Sequence, residues 1–147
     1  MVLPHRGVQP FLRWAGSKRQ LLPILARYWN GKYDRYVEPF VGSACLFFHI
    51  APSKALLGDL NAELIGTLRE LKRNPGEISA RLKELRKGRK RYLAMRRIDP
   101  GSISAPERAA RFIYLNRVGY LLYSGRPNIL RCGTREFSTQ GGTAAGT

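Results

Sequence analysis

The chain has 147 residues, the length of one domain, and its 44% hydrophobic content is enough for a buried core. It carries 26 Lys and Arg residues against 10 Asp and Glu residues, a formal net charge of +16. This excess favours a polyanionic partner, above all nucleic acid, although a solvated basic surface would give the same count. Cys45 and Cys132 belong to no Cys/His cluster, which argues against zinc and a disulfide scaffold. No apolar run has the length of a membrane span and no signal peptide is visible, so we expect a cytoplasmic protein.

The first motif, residues 10–19, reads PFLRWAGSKR. Its small residues predict a turn that lets Trp14 and Lys18 face one ligand, the indole for an apolar or aromatic surface and the ammonium for an anion. The alternative is that Trp14 is a core aromatic and Lys18 a surface charge at a helix start. Apolar residues at helical spacing then predict a helix from Gln20 to Trp29.

A strand, a turn and a helix are predicted next, in the stretch YVEPFVGSACLFF. The strand covers residues 36–38, the turn contains Gly42, and the helix runs to about Ile50. Such a turn leaves backbone N–H groups free at the helix N-terminus and lets a ligand approach the main chain.

A second short strand is predicted at residues 54–58, and the short connections argue that it runs parallel to the first. It leads into Asp59, about twenty residues beyond the turn. At that spacing, α/β nucleotide sites offer a carboxylate to ribose hydroxyls. The alternative is that Asp59 caps the following helix, a role that Asn61 could serve nearly as well.

The remaining elements are predicted to be helical. One helix runs from Asn61 to Arg73 and is stopped by Asn74-Pro75-Gly76. A second helical stretch covers residues 77–97, with an interruption at Gly88. The second stretch is dense in bases, which favours phosphate contact, with a solvated helix face as the alternative. A turn at residues 99–102 precedes a helix that starts near Ser104. Residues 124–147 are rich in Gly, Ser and Thr and are predicted to be an irregular or disordered tail.

Four segments in this order resemble Dam-like adenine-specific DNA methyltransferases: PFLRWAGSKRQLL, VEPFVGSACLFF, LLGDLNAELI and RFIYLNRVGY. The resemblance implies an α/β fold. Residues 10–73 would be a partial Rossmann-like methyltransferase core, with parallel strands and flanking helices. Residues 74–123 would be the basic, helical part of a target-recognition region. It also implies methyl transfer from S-adenosylmethionine to N6 of adenine in double-stranded DNA.

The resemblance also assigns roles to individual residues. Those implied to bind the cofactor are Trp14, Lys18, Pro39, Phe40, Gly42 and Asp59. Those implied to bind DNA are Arg89, Lys90, Arg91, Arg117 and Tyr120. Arg117 would contact phosphate and Tyr120 would lie near a flipped base, with a core position as the alternative for Tyr120. Ser43 and Ala44 stand where the family often has Ala and Gly.

The family's catalytic Asp-Pro-Pro-Tyr segment is absent from the chain. Among the acidic residues, only Asp99 precedes a proline in a turn-like setting outside the cofactor turn, and it lies before the expected recognition helix rather than after it. We therefore assign no catalytic residue and no metal site.

The sequence leads us to expect a truncated methyltransferase that is inactive alone. A cognate restriction enzyme would be a partner in the same system without physical contact. The alternatives are a non-catalytic basic DNA-binding module and a fragment too incomplete to fold cooperatively.

Overall fold

The structure, a computed structural model, describes residues 10–123. The predicted tail, residues 124–147, lies outside the described residues. The elements follow in chain order: α1 (Leu22–Leu25) between the 3₁₀ turns Lys18–Leu21 and Ala26–Tyr28, β1 (Tyr36–Glu38), α2 (Cys45–Ile50), β2 (Ala55–Leu57), α3 (Ala62–Arg73), α4 (Pro75–Glu84), α5 (Arg89–Arg97), the 3₁₀ turn Pro100–Ser102, and α6 (Ala105–Tyr123).

The two strands pair in parallel, as predicted, with Tyr36 opposite Ala55 and Glu38 opposite Leu57. Alternate residues of β1 face opposite ways, so Tyr36 and Glu38 are buried while Val37 is 52% exposed. Because the strands are parallel, both carboxyl ends meet at the same edge of the sheet. The turn after β1 and the residues after β2 therefore become neighbours.

The buried core is built around α6, which packs against α3, α4 and α5. One buried cluster draws on both predicted regions and comprises Leu12, Val41, Ala44, Leu64, Ile78, Ala109, Ala110, Phe112 and Ile113. A second cluster joins α5 to α6 and comprises Tyr92, Met95, Tyr114, Leu115 and Val118. The division of the chain at residue 73 stays a prediction.

The helical half follows the prediction in outline and differs from it in detail. The expected stop at Asn74-Pro75-Gly76 is confirmed for the first helix, since α3 ends at Arg73 with Asn74 as its C-cap, but the next helix, α4, begins at Pro75 rather than at Glu77. Proline is well tolerated in the first turn, where its missing N–H has no intrahelical partner. The predicted stretch 77–97 is two helices, because Leu85 is extended and Gly88 has φ = +154°, a backbone conformation that ends helical continuity.

Gly119 of α6 allows α5 to approach closely. A Cβ atom at this position would lie 2.9 Å from the Tyr92 hydroxyl oxygen and 3.2 Å from Cε2 of the same ring. Tyr92 is buried, so its ring has little room to move away. The glycine in the RVGY segment is thus explained by helix–helix contact.

We therefore expect Gly119→Ala to lower the free energy of unfolding by about 1–3 kcal/mol through overpacking, as measured by urea denaturation. The matched control is Gly66→Ala in α3, where an added Cβ meets nothing within 4 Å. That control should be neutral or stabilising by up to about 1 kcal/mol, because alanine favours the helix. Equal decreases in both variants would contradict the close approach of the two helices.

Candidate cofactor-binding site and basic surface

A cleft of about 300 Å³ opens where the two strands end. Its lining residues are Trp14, Ala15, Gly16, Ser17, Lys18, Phe40, Val41, Gly42, Ser43 and Asp59. Five of the six residues predicted to bind the cofactor thus come together in one cleft. The sixth, Pro39, is outside this lining and lies against Gly58, where an added Cβ would be 3.3 Å from the Pro39 carbonyl oxygen. Their binding roles stay predictions.

Asp59 joins the two strand ends through its carboxylate. Oδ2 accepts a hydrogen bond from the backbone N–H of Gly42 at 3.0 Å, and Oδ1 accepts one from the N–H of Asn61 at 3.0 Å. Asn61 is the N-cap of α3, since its Oδ1 accepts from the Leu64 N–H at 3.0 Å. Asp59 is therefore not the N-cap, and its half-buried carboxylate borders the cleft with further lone pairs for hydroxyl donors.

Gly42 and Trp14 form one wall of the cleft. Gly42 has φ = +50°, and a Cβ here would lie 3.0 Å from Cδ1 of the Trp14 indole. The same indole packs on the ring of Phe112, with centroids 6.5 Å apart. Trp14 is thus both a core contact and part of the cleft wall, and its contact with a ligand stays a prediction. Ala44 also has positive φ, at +55°, in a position where the family often has glycine.

Lys18 is held by the end of β1. Its ammonium donates to Oε1 of Glu38 at 3.0 Å and to the Phe40 carbonyl oxygen. The other Glu38 oxygen, Oε2, accepts from the Tyr36 hydroxyl at 2.8 Å. Burial and this carboxylate raise the pKa of Tyr36 far above its ordinary value. An ammonium has three donors, so one N–H of Lys18 remains for a ligand in the cleft.

Residues of α6 hold the loop that carries Trp14. Asn116 accepts from the Arg13 backbone N–H at 2.8 Å and donates to the Arg13 carbonyl at 2.7 Å. The hydroxyls of Ser17 and Ser43 lie 3.0 Å apart and join the loop to the turn after β1. Sequence reasoning missed Asn116. Its signal was a polar side chain interrupting the apolar stripe of the α6 segment.

Three of the four bases predicted to bind DNA lie on α5. Arg89, Lys90 and Arg91 are exposed and form its first turn, which contains no acidic residue. Positive charge is disfavoured at a helix N-terminus, where the backbone already presents a partial positive charge and attracts anions. Arg117 is exposed on α6, two residues before the Gly119–Tyr92 contact. The side chain of Tyr120 lies outside the described part of the chain.

Within residues 10–123, no group of three or more His, Cys, Asp or Glu side chains could hold a metal ion. None of the helices described there has the length and apolarity needed to cross a membrane.

A parallel strand pair with a glycine turn and a carboxylate at its edge is the kind of arrangement in which open α/β proteins bind nucleotides and cofactors. Residues 14–128 match the D12 class N6 adenine-specific DNA methyltransferases, and the chain belongs to this family.

Curated relatives support the same membership. The type II methyltransferase M1.LlaDCHI of Lactococcus lactis subsp. cremoris is 39% identical over 120 residues, which cover 78% of this chain and 42% of the relative. The DNA adenine methylase of Haemophilus influenzae is 32% identical over 123 residues, 80% of this chain and 42% of the relative. The Escherichia coli K12 DNA adenine methylase is 34% identical over 114 residues, 75% and 41% respectively. The matched region thus spans about two-fifths of the length of these relatives.

The raised pKa of Tyr36, which is buried beside Glu38, predicts that the protein loses stability at alkaline pH. A raised pKa means that the folded state favours the protonated phenol. The stability that Tyr36 contributes is therefore complete below about pH 10, the ordinary pKa of tyrosine, and is lost as the pH rises above that value. Between pH 9 and pH 11 we expect the free energy of unfolding to fall more steeply for the wild type than for Tyr36→Phe, by up to about 1.4 kcal/mol per pH unit. Urea denaturation at several pH values measures this difference. Tyr33→Phe, at a tyrosine that is 59% exposed, is the control and should retain the wild-type slope.

Proposed function

We propose that this chain forms the S-adenosylmethionine-binding and DNA-contacting part of a Rossmann-like N6-adenine DNA methyltransferase. On its own it binds both partners without transferring the methyl group. The observation that carries this proposal is the cleft at the carboxyl ends of β1 and β2, which gathers Trp14, Lys18, Gly42 and Asp59. Ligands of open α/β sheets bind at this edge.

The chemistry of the cleft fits the parts of the cofactor. Asp59 would accept hydrogen bonds from the ribose hydroxyls, and the remaining N–H of Lys18 would bind the carboxylate of the methionine part. Trp14 offers an apolar face, and Gly42 leaves the main chain open to close approach because it has no side chain. When bound, S-adenosylmethionine supplies an electrophilic methyl group on a sulfonium.

The basic surface formed by Arg89, Lys90 and Arg91 in the first turn of α5 fits double-stranded DNA. Contacts of Lys and Arg with phosphate provide sequence-independent affinity, and the exposed first turn of α5 concentrates three such charges. Arg117 would add a phosphate contact on α6. By family resemblance, Tyr120 would lie near the flipped adenine.

The proposal separates binding from catalysis. No Asp-Pro-Pro-Tyr segment occurs in the 147 residues, so nothing in the chain takes the role of holding and orienting the adenine amino group. We therefore expect no methyl transfer by this chain alone. Its place would be the cytoplasm, and any restriction enzyme of the same system would recognise the same DNA without contacting the chain.

Cofactor binding is tested by calorimetry with S-adenosylmethionine and its demethylated product. Asp59→Asn should weaken both by about tenfold or more, because a charge-assisted acceptor is removed and an amide N–H₂ would face a backbone donor. Asp34→Asn, an exposed acid outside the cleft, is the matched control and should bind like the wild type. Circular dichroism checks that each variant is folded. No binding by the folded wild type would refute the cofactor site.

DNA binding is tested by fluorescence anisotropy over a range of salt concentrations. The triple substitution Arg89→Gln, Lys90→Gln and Arg91→Gln should make the slope of log K against log salt shallower by about 2.7, since each neutralised phosphate contributes about 0.9. Replacing Arg69, Lys72 and Arg73 of α3 by Gln is the control for total charge. Equal slope changes in the two triples would mean that charge in general, rather than α5, drives binding.

The non-catalytic DNA-binding module remains the second candidate function, and the strongly basic first turn of α5 favours it. It predicts DNA binding that depends on α5 and no cofactor binding. The calorimetry and anisotropy experiments together distinguish the two candidates.

A further inference from the structure

Arg111 of α6 is a buried arginine that opens the RFIYLNRVGY segment and that the sequence analysis gave no role. The residue is 7% exposed, yet its guanidinium has acceptors on two other helices. Nε donates to the Met95 carbonyl at 2.9 Å, Nη2 reaches the Arg96 carbonyl at 3.5 Å, and Nη1 donates to Oε1 of Glu63 at 3.3 Å. Desolvating a guanidinium is expensive, so its hydrogen bonds must compensate for that cost.

The two carbonyls lie in the last turn of α5. Carbonyls at a helix C-terminus lack intrahelical partners, and a cation there also interacts favourably with the helix dipole. The guanidinium therefore acts as a C-terminal cap supplied by a different helix. Most of α5 is exposed, and its buried residues Tyr92 and Met95 pack against α6 in the second buried cluster. The guanidinium adds a polar contact at the C-terminal end of the helix.

Glu63 ties the same guanidinium to the cofactor side of the molecule. It lies in the first turn of α3, four residues after Asp59 and two after the N-cap Asn61. Its side chain is 27% exposed and that of Arg111 is 9% exposed, so solvent screens this ion pair only in part. The Arg111 side chain thus links the C-terminal end of α5 to the first turn of α3, which follows Asp59 of the cleft.

We propose that Arg111 is a positioning residue that sets the direction of α5 relative to the cofactor cleft. It would thereby hold Arg89, Lys90 and Arg91 in a fixed register with DNA phosphates. The inference rests on the proposed DNA-binding function, and it adds a residue that does not touch DNA. Arg111 acts through α5.

The test compares Arg111→Met, which keeps much of the side-chain length but removes the donors, with Arg108→Met on the same helix. Arg108 is exposed and donates to the Ile103 carbonyl at 3.3 Å, so this control removes an equal charge away from α5. The readouts are the salt slope of DNA binding, the affinity for S-adenosylmethionine and thermal unfolding. We expect Arg111→Met to make the salt slope shallower by about 0.9 for each phosphate that α5 no longer neutralises, and Arg108→Met to leave it unchanged.

Arg111→Met is then combined with the α5 triple substitution. If Arg111 acts through the α5 charges, the combined variant has the salt slope of the triple alone. Independent, additive changes would overturn the proposal. So would a lower unfolding temperature with an unchanged slope, because that is the result of a purely structural role.

Arg111→Lys covers the case in which the methionine variant does not fold. A lysine keeps the charge but lacks the planar fork that reaches both helices, so it should give an intermediate slope with the cofactor affinity preserved. A wild-type slope in this variant would contradict the proposal. If the α5 triple substitution itself leaves DNA binding unchanged, the proposed contact of α5 with DNA is wrong. That outcome differs from additive effects of Arg111→Met and the triple substitution, which would overturn only the role of Arg111.

Discussion

The hydrogen bonds from Gly42 and Asn61 to the Asp59 carboxylate are the constraint on which the cleft depends. The two short strands of the described residues offer few ladder bonds. A backbone bond from the Val41 N–H to the Gly58 carbonyl, at 2.8 Å, joins the turn after β1 to the end of β2, and the Asp59 carboxylate adds two further bonds. The carboxylate accepts one backbone N–H from each side and so fixes the two strand ends against each other. This arrangement also presents Asp59 to the cleft in a single orientation. Folding and the proposed ligand recognition would therefore use the same side chain.

The second unifying element is α6. Through Asn116 it holds the loop that carries Trp14, and through Arg111 it holds the last turn of α5. Between these two positions, Phe112 packs against the Trp14 indole from inside the core. The candidate cofactor site and the basic helix α5 are thus both held by contacts with α6. A shift of α6 would change both, which makes its packing a functional matter as well as a structural one.

The sequence predicted the local features of the chain well. The bounds of β1, the end of α3 at Arg73, the Asn61 cap and the helix start beyond Ser104 all followed from short-range patterns, which local propensity and capping determine. The hydrogen bonds of Asn116 and Arg111 could not be predicted, because they join residues 103 and 48 positions away in the chain. Within the helical stretch expected over residues 77–97, the interruption at Gly88 followed from the glycine, whereas the extended Leu85 did not, because Leu85 fits the apolar spacing of a helix.

Preorganisation is the property that connects this fold to its proposed role. Lys18 and Asp59 are both held by hydrogen bonds to the protein itself, so a ligand would meet side chains that have already lost most of their rotational freedom. Ordering a free lysine on binding would cost on the order of 1 kcal/mol, and the Glu38 ion pair removes much of that cost. In the proposed function, binding would require only groups that the chain already positions. Methyl transfer would additionally require a group that orients the adenine amino nitrogen, and the 147 residues contain no Asp-Pro-Pro-Tyr segment for that role. The proposed binding and methyl transfer would therefore depend on different groups.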